Sequence, residues 1–186
     1  NLKAGGVIRL RDLLYGLMLR SGNDAAVAIA EYISGDVDSF AALMNQEAAA
    51  MGATRSHFVN PNGLPDENHY TCVYDMYLIF SNAIKNDTFV SIIGTTSYDV
   101  TYTDASGEAV THTWENTNQY LTGNATTPDG FQIVGGKTGT TGEAGYCLVL
   151  YSYNPSGQPI ISIVFKADGK SNLYLLMNEM LQGFAI

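Results

Sequence analysis

The chain has 186 residues, 46% of them hydrophobic, which is enough for one sizeable domain or a large part of one. Nine Lys and Arg against eighteen Asp and Glu give a formal net charge of −9, and a polyphosphate backbone attracts the opposite sign, so a nucleic-acid partner is argued against. Cys72, Cys147, His57, His69 and His112 are scattered without metal-ligand spacing, and no metal or other cofactor is implied.

No apolar run is long enough to span a bilayer, and no signal-peptide pattern opens the chain. NLKAGGVIRL reads as the middle of something, a piece of a longer, processed protein. Leu10, Leu13, Leu14, Leu17 and Met18 follow the i, i+3, i+4, i+7 rule and predict a first helix with one apolar stripe. Asp24 then opens DAAVAIAEYIS, an alanine-rich helix suited to close packing. Asp36 or Asp38 caps a third helix through FAALMNQEAAAM, with Gly52 as its stop signal. NPNGLPDENHY, residues 60–70, is a turn-rich loop, and Thr71 is the expected cap of CVYDMYLIFSNAIK.

The period then changes. TTSYDVTYT and EAVTHTW alternate β-formers with polar residues around DASG, which predicts a hairpin. GYCLVLYSY and PIISIVFKA flank NPSGQ as a second, more apolar hairpin, the expected core of a sheet. Cys147, inside YCLVLY, is expected to be a buried structural thiol. SNLYLLMNEMLQGF closes the chain as an amphipathic helix with Ser171 as a cap. Helices first, then an antiparallel sheet with a helix laid on it, predict an α+β fold. One partial domain is expected over residues 1–186, helical over about 8–90 and β-rich with the closing helix over about 91–186.

The chemistry concentrates in IVGGKTGTTGEAGYC, residues 133–147. Lys137 after two glycines suggests a phosphate loop, but that motif needs a glycine where this chain has Phe131, and it must open a helix. Here the segment runs on into a strand. Lys137-Thr138-Gly139 at a strand edge has another use. An ammonium and a hydroxyl pointing the same way hold a carboxylate, the glycine lets a substrate backbone lie alongside, and a following amide can serve an oxyanion hole. A second piece is RSGNDAA, residues 20–26, where Ser21 and Asn23 can project to one side of a tight turn. Helix capping accounts equally for Ser, Asn and Asp at that point.

Ser-x-Asn followed much later by Lys-Thr-Gly are two of the three elements of penicillin-recognising acyl-transferases. RDLLYGLMLRSGNDAAVAIAEYISG, FVNPNGLPDENHYTCVYDMYLI, ENTNQYL and VGGKTGTTGEAGYCLV resemble, in the right order, the D-alanyl-D-alanine carboxypeptidases of the low-molecular-mass penicillin-binding proteins. Class A β-lactamases share the two motifs, but no segment here resembles the acidic loop that supplies their deacylating glutamate. The resemblance implies the penicillin-binding-protein/β-lactamase-like transpeptidase fold and a peptidoglycan stem peptide ending in D-Ala-D-Ala as substrate, with β-lactams as inhibitors. A serine would attack the penultimate carbonyl, terminal D-Ala would leave, and water would release the acyl-enzyme. By the same resemblance Ser21 would shuttle a proton to the leaving nitrogen, and Asn23 would hold the substrate amide or orient the catalytic lysine. Lys137 would supply positive potential and position Ser21. Thr138 and Thr140 would bind the terminal carboxylate, with the Thr140 amide in the oxyanion hole and Gly139 giving clearance. Thr117 falls where some relatives carry an arginine for that carboxylate.

The family's first motif, Ser-x-x-Lys, does not occur: no serine of the chain has Lys at +3. Ser81 to Lys85 and Ser162 to Lys166 are each one residue too long. The motif precedes Ser-x-Asn in the family, so the nucleophile-bearing segment, with N-terminal strands of the sheet, is expected to lie outside this chain. The chain alone is then expected to be inactive, with PIISIVFK an open apolar edge and with low stability, self-association or association with the missing segment. The resemblance also implies work outside the cytoplasmic membrane, in the bacterial cell envelope. The alternative reading is a non-catalytic peptidoglycan- or β-lactam-binding module.

Overall fold

The computed structural model describes residues 2–184. The first half is a pile of helices: α1 (Leu10–Arg20), α2 (Asn23–Ser34), α3 (Val37–Ala50), α4 (Val73–Ala83) and α5 (Asp87–Ile93). The second half holds β1 (Ser97–Thr103), β2 (Ala109–Glu115), β3 (Gln132–Thr141), β4 (Gly145–Tyr153), β5 (Pro159–Ala167) and α6 (Lys170–Gly183). The strands form two separate antiparallel sheets, the hairpin β1–β2 and a three-stranded sheet ordered β3–β4–β5. Among the described residues no helix is long and apolar enough to cross a membrane.

Strand β4 is central and buried on both faces, which is why it reads as a continuous apolar run. Leu148 and Leu150 face α6, where Leu173, Met177 and Leu181 are buried with them. Val149 faces the other way and packs with Ile163, Phe80 and Ile93, from β5, α4 and α5. The sheet therefore lies between α6 on one side and α4 with α5 on the other. Each fully buried Leu or Met in these layers contributes about 1.5–3 kcal/mol.

Helix α1 departs from the single stripe. Leu13 packs with Ala25 and Ile29 of α2, while Tyr15 and Leu19 pack with Ile92 of α5, so two faces are covered and Leu10 stays exposed. The hairpin docks on this helix through Tyr98, whose ring stacks on Tyr15 at 3.7 Å and whose hydroxyl donates to Asp12 at 2.6 Å.

Of the two expected caps of α3 it is Asp36 that serves, accepting from the Ser39 amide at 2.7 Å. Other caps differ from expectation. Cys72, not Thr71, precedes α4; the Thr71 hydroxyl is engaged with Ser56 Oγ at 2.7 Å. Helix α2 begins at Asn23 after Gly22, and α6 at Lys170 after Gly169, both without a side-chain cap, so neither Asp24 nor Ser171 plays that part. Helix α5 was not expected at all. Asn86 starts it, taking the Thr88 and Phe89 amides, and seven residues are too few to show a helical period. At the far end of the sheet β5 has strand neighbours on one side only among the described residues, as expected of PIISIVFK.

Candidate active site

The turn between α1 and α2 is one wall. Ser21 adopts a left-handed conformation, φ 54°, and the Gly22 amide closes back on the Gly16 carbonyl at 3.2 Å. A non-glycine residue with positive φ costs about 1–3 kcal/mol and persists where its surroundings hold it. The capping reading of this turn fails: Ser21 Oγ instead accepts a hydrogen bond from Lys137 Nζ, 116 positions away. Lys137 Nζ also donates to the Thr138 carbonyl.

Strand β3 is the opposite wall, and its glycines explain the rest of the motif. A Cβ on Gly136 would sit 2.3 Å from the Val149 carbonyl oxygen, and one on Gly135 2.6 Å from the Ile93 carbonyl. A Cβ on Gly94 would meet the Val134 carbonyl at 2.6 Å. Glycine at positions 94 and 135 lets α5 press against β3, glycine at 136 leaves room for β4, and neither Gly135 nor Gly136 has a positive φ. They are packing residues in a strand, which removes the phosphate-loop reading on structural grounds. Gly139 differs: an added Cβ would meet only Cys147 Cβ, at 3.9 Å, so that stretch is open to a ligand.

All six sequence-predicted site residues come together. Ser21, Asn23, Lys137, Thr138, Gly139 and Thr140 line one cleft of about 590 Å³. The 60–70 loop supplies its far wall through Asn60, Asn62 and His69, among others. That loop is pinned from behind. Buried Asp75 accepts from the Arg55 amide at 2.7 Å and from Ser56 Oγ at 2.8 Å, and the Asn45 side chain bonds both the amide and the carbonyl of Phe58. Burial works against the Asp75 charge, but these donors hold its pKa below the usual carboxylate range.

Among the described residues no Asp or Glu lines the cleft, in a chain of net charge −9. Lys137 thus has no anion to offset its burial, which pushes its pKa down to about 8. Burial does the same to His69, whose Nδ1 accepts the Val59 amide at 3.2 Å. A half-buried ammonium with hydroxyls around it and no carboxylate is a receptor for an anion.

Two features were not seen in the sequence. Cys147 is not buried in the core: it is half-exposed and lines the cleft opposite Gly139, its pair across β3 and β4. A shift in the β4–β5 register between Tyr146 and Leu148 sets two β5 residues against this one, which an apolar run does not reveal. A smaller recess of about 240 Å³ also opens beside the cleft, with Arg20, Thr117 and Lys170 in its lining. Arg20 directly precedes the Ser-x-Asn motif, a signal available in the sequence; Lys170 reaches the recess only through the docking of α6.

The model of the D-alanyl-D-alanine carboxypeptidase family matches residues 1–169. The chain belongs to this family. It is 34% identical to the D-alanyl-D-alanine carboxypeptidase DacF of Bacillus subtilis, over 97% of this chain and 43% of that protein. It is also 34% identical to a D-alanyl-D-alanine carboxypeptidase of a Streptomyces species, over 100% of this chain and 64% of that protein. The chain thus spans between 43% and 64% of the length of these two relatives. The crystal structure of the Streptomyces K15 DD-transpeptidase superposes with a TM-score of 0.88 at 32% identity, covering 100% of this chain and 71% of that one. The α+β architecture is therefore that of the penicillin-binding-protein transpeptidase fold.

Proposed function

We propose that this chain carries the substrate-holding part of a serine-type D-alanyl-D-alanine carboxypeptidase, which removes the terminal D-Ala from peptidoglycan stem peptides and is acylated by β-lactams. The observation that carries this is the Lys137–Ser21 hydrogen bond, with Asn23 and Thr138–Thr140 in the same cleft. A serine oxygen adds to the penultimate carbonyl, the C–N bond to D-Ala breaks, and water later cleaves the acyl ester. Ser21 accepts from Lys137, so its own hydrogen is free to pass to the leaving nitrogen. Asn23 holds the substrate amide or orients the catalytic lysine. Thr138 and Thr140 bind the carboxylate, the Thr140 amide serves the oxyanion, and open space at Gly139 admits the peptide beside β3.

The nucleophile and its lysine come from outside these residues, because the chain has no Ser-x-x-Lys; residues 1–186 alone are inactive. The one-sided edge at β5 leaves the chain prone to self-association or to pairing with that segment. The site of action is the bacterial cell envelope, outside the cytoplasmic membrane. The test is release of D-Ala from an N-acylated peptide ending in D-Ala-D-Ala. The natural full-length protein is expected to release it and residues 1–186 are not; a full-length protein that binds the peptide and releases nothing would make the non-catalytic module the correct reading.

A further inference from the structure

We propose that Trp114 is a positioning residue for Ser21: its indole, laid on α1 at Gly16, holds the left-handed turn that aims the Ser21 hydroxyl at Lys137. This rests on the carboxypeptidase reading above and adds to it what keeps the proton-carrying serine in place.

The need for a support starts with residue type. A helix that ends on a left-handed residue most often ends on glycine, which takes a positive φ without steric cost. Here α1 ends with Ser21 at φ 54°, and the glycine comes one position later, at Gly22. A glycine at position 21 would relax the turn but would bring no hydroxyl to Lys137. The chain keeps the hydroxyl and accepts the strained backbone, so neighbouring structure has to hold it.

The holding contacts converge on Gly16. Its carbonyl accepts the amides of both Ser21 and Gly22, the second at 3.2 Å, and so closes the turn. The space a side chain would take there is filled by Trp114. A Cβ on Gly16 would lie 3.1 Å from both Cη2 and Cζ3 of the indole, so the far ring rests directly on the backbone that closes the turn. Glycine is disfavoured inside a helix, and what it permits here is that close approach.

Trp114 is itself held. The β1–β2 register sets Tyr98 opposite Trp114, and the two rings lie on adjacent α1 residues, Tyr98 on Tyr15 and Trp114 on Gly16. Both also pack against the buried cluster of Tyr15, Leu19 and Ile92. Just past β2 the chain returns to the helix end: the Asn116 amide donates to the Thr96 carbonyl at 2.8 Å, and the Thr117 amide to the Leu19 carbonyl at 3.2 Å. The Leu19 carbonyl is among the last four of α1, which find no partner within the helix. The hairpin therefore lies along α1 as a splint, with Trp114 against the residue whose carbonyl Ser21 depends on. Plain packing would also set a ring on a helix glycine, but it would govern stability and not the rate of the chemical step.

The experiment follows acylation of the natural full-length protein by benzylpenicillin, read by intact mass over a range of concentrations. Wild type is compared with Gly16→Ala, with Trp114→Phe and with the two changes together. Gly16→Ala pushes a methyl against Cη2 and Cζ3, and Trp114→Phe removes those two atoms. Each single change is expected to lower the limiting acylation rate by roughly tenfold, the scale of a misplacement of under about 1 Å. The half-saturating concentration should stay unchanged, because Ser21 acts in the chemical step. The pair together should react faster than either single variant, because the smaller ring makes room for the methyl. Rates are taken per folded molecule, from the acylated fraction at the end point. Alanine favours a helix over glycine, so Gly16→Ala carries the test even where Trp114→Phe does not fold. A wild-type limiting rate in the single variants, with only the melting temperature lowered, overturns the proposal and leaves Trp114 a packing residue. Losses that simply multiply in the pair overturn it as well, since the contact between the two residues is then not what Ser21 feels. In both cases acylation of the wild type still supports the carboxypeptidase reading, whereas no adduct from wild type brings down both.

Discussion

Charges withdrawn from solvent are treated in opposite ways in two regions of this molecule. Where α1 meets the hairpin, Asp12 is fully buried and fully answered: Arg9 donates twice, at 2.7 and 3.3 Å, and Tyr98 once, at 2.6 Å. In the cleft Lys137 is half-buried, with hydroxyl and carbonyl partners and no counter-charge. The first arrangement holds two elements together. The second leaves electrostatic attraction unused in the free protein, and a ligand can supply what is missing. A buried charge without its opposite therefore marks the site more sharply than the presence of charge does.

The largest effect that would break this comparison is expected at Lys137. Lys137→Met should lower acylation of the full-length protein by roughly 10²–10³-fold, the scale for losing one preorganised donor at a reacting centre. Its melting temperature should hold or rise, because a half-buried charge without a counter-charge is gone. A variant that loses stability in step with activity would place Lys137 among the structural charges. Asp12→Ala should do the reverse, costing about 2–3 kcal/mol in urea unfolding by stranding the Tyr98 hydroxyl and the Arg9 contacts. Its acylation by penicillin should persist below the new transition.

Gly136→Ala tests the floor under the lysine. The added methyl would lie 2.3 Å from the Val149 carbonyl, so β3 must shift against β4. A loss of about 1–3 kcal/mol is expected, accompanied by slower acylation because Lys137 moves with its strand.

The smallest effect is in pH, and its two halves have opposite signs. Affinity for a carboxylate ligand should fall as pH rises through about 8, where Lys137 loses its proton. Folding stability from the same group should rise between about 8 and 10.5, because there the unfolded chain binds more protons than the folded one. Titrating ligand binding and thermal unfolding across that window gives both slopes, and parallel slopes would contradict the assignment.

The sequence carried the candidate site because its parts are short and local. Ser21 and Asn23 span one turn, and Lys137 to Thr140 span one strand edge; their types and spacing need no knowledge of the fold to be noticed. The two apolar hairpin strands and the closing helix were legible from period alone. Helix α5, the half-exposed Cys147 and the helix starts at Asn23 and Lys170 were not legible. Each depends on a backbone hydrogen bond, a register shift or a packing contact that residue type does not encode.

The sequence by itself thus determined the element types, the acidic balance and the two motifs, all set by nearest neighbours along the chain. Only the tertiary structure decided that Lys137 reaches Ser21 across 116 positions, and that Gly135 makes room for α5 and Gly136 for β4. It also decided that Arg20 and Lys170, 150 residues apart in numbering, line one recess. The physical reason is that charge acts through space: whether a cation is paired, and what its burial does to its proton, depends on neighbours brought by folding.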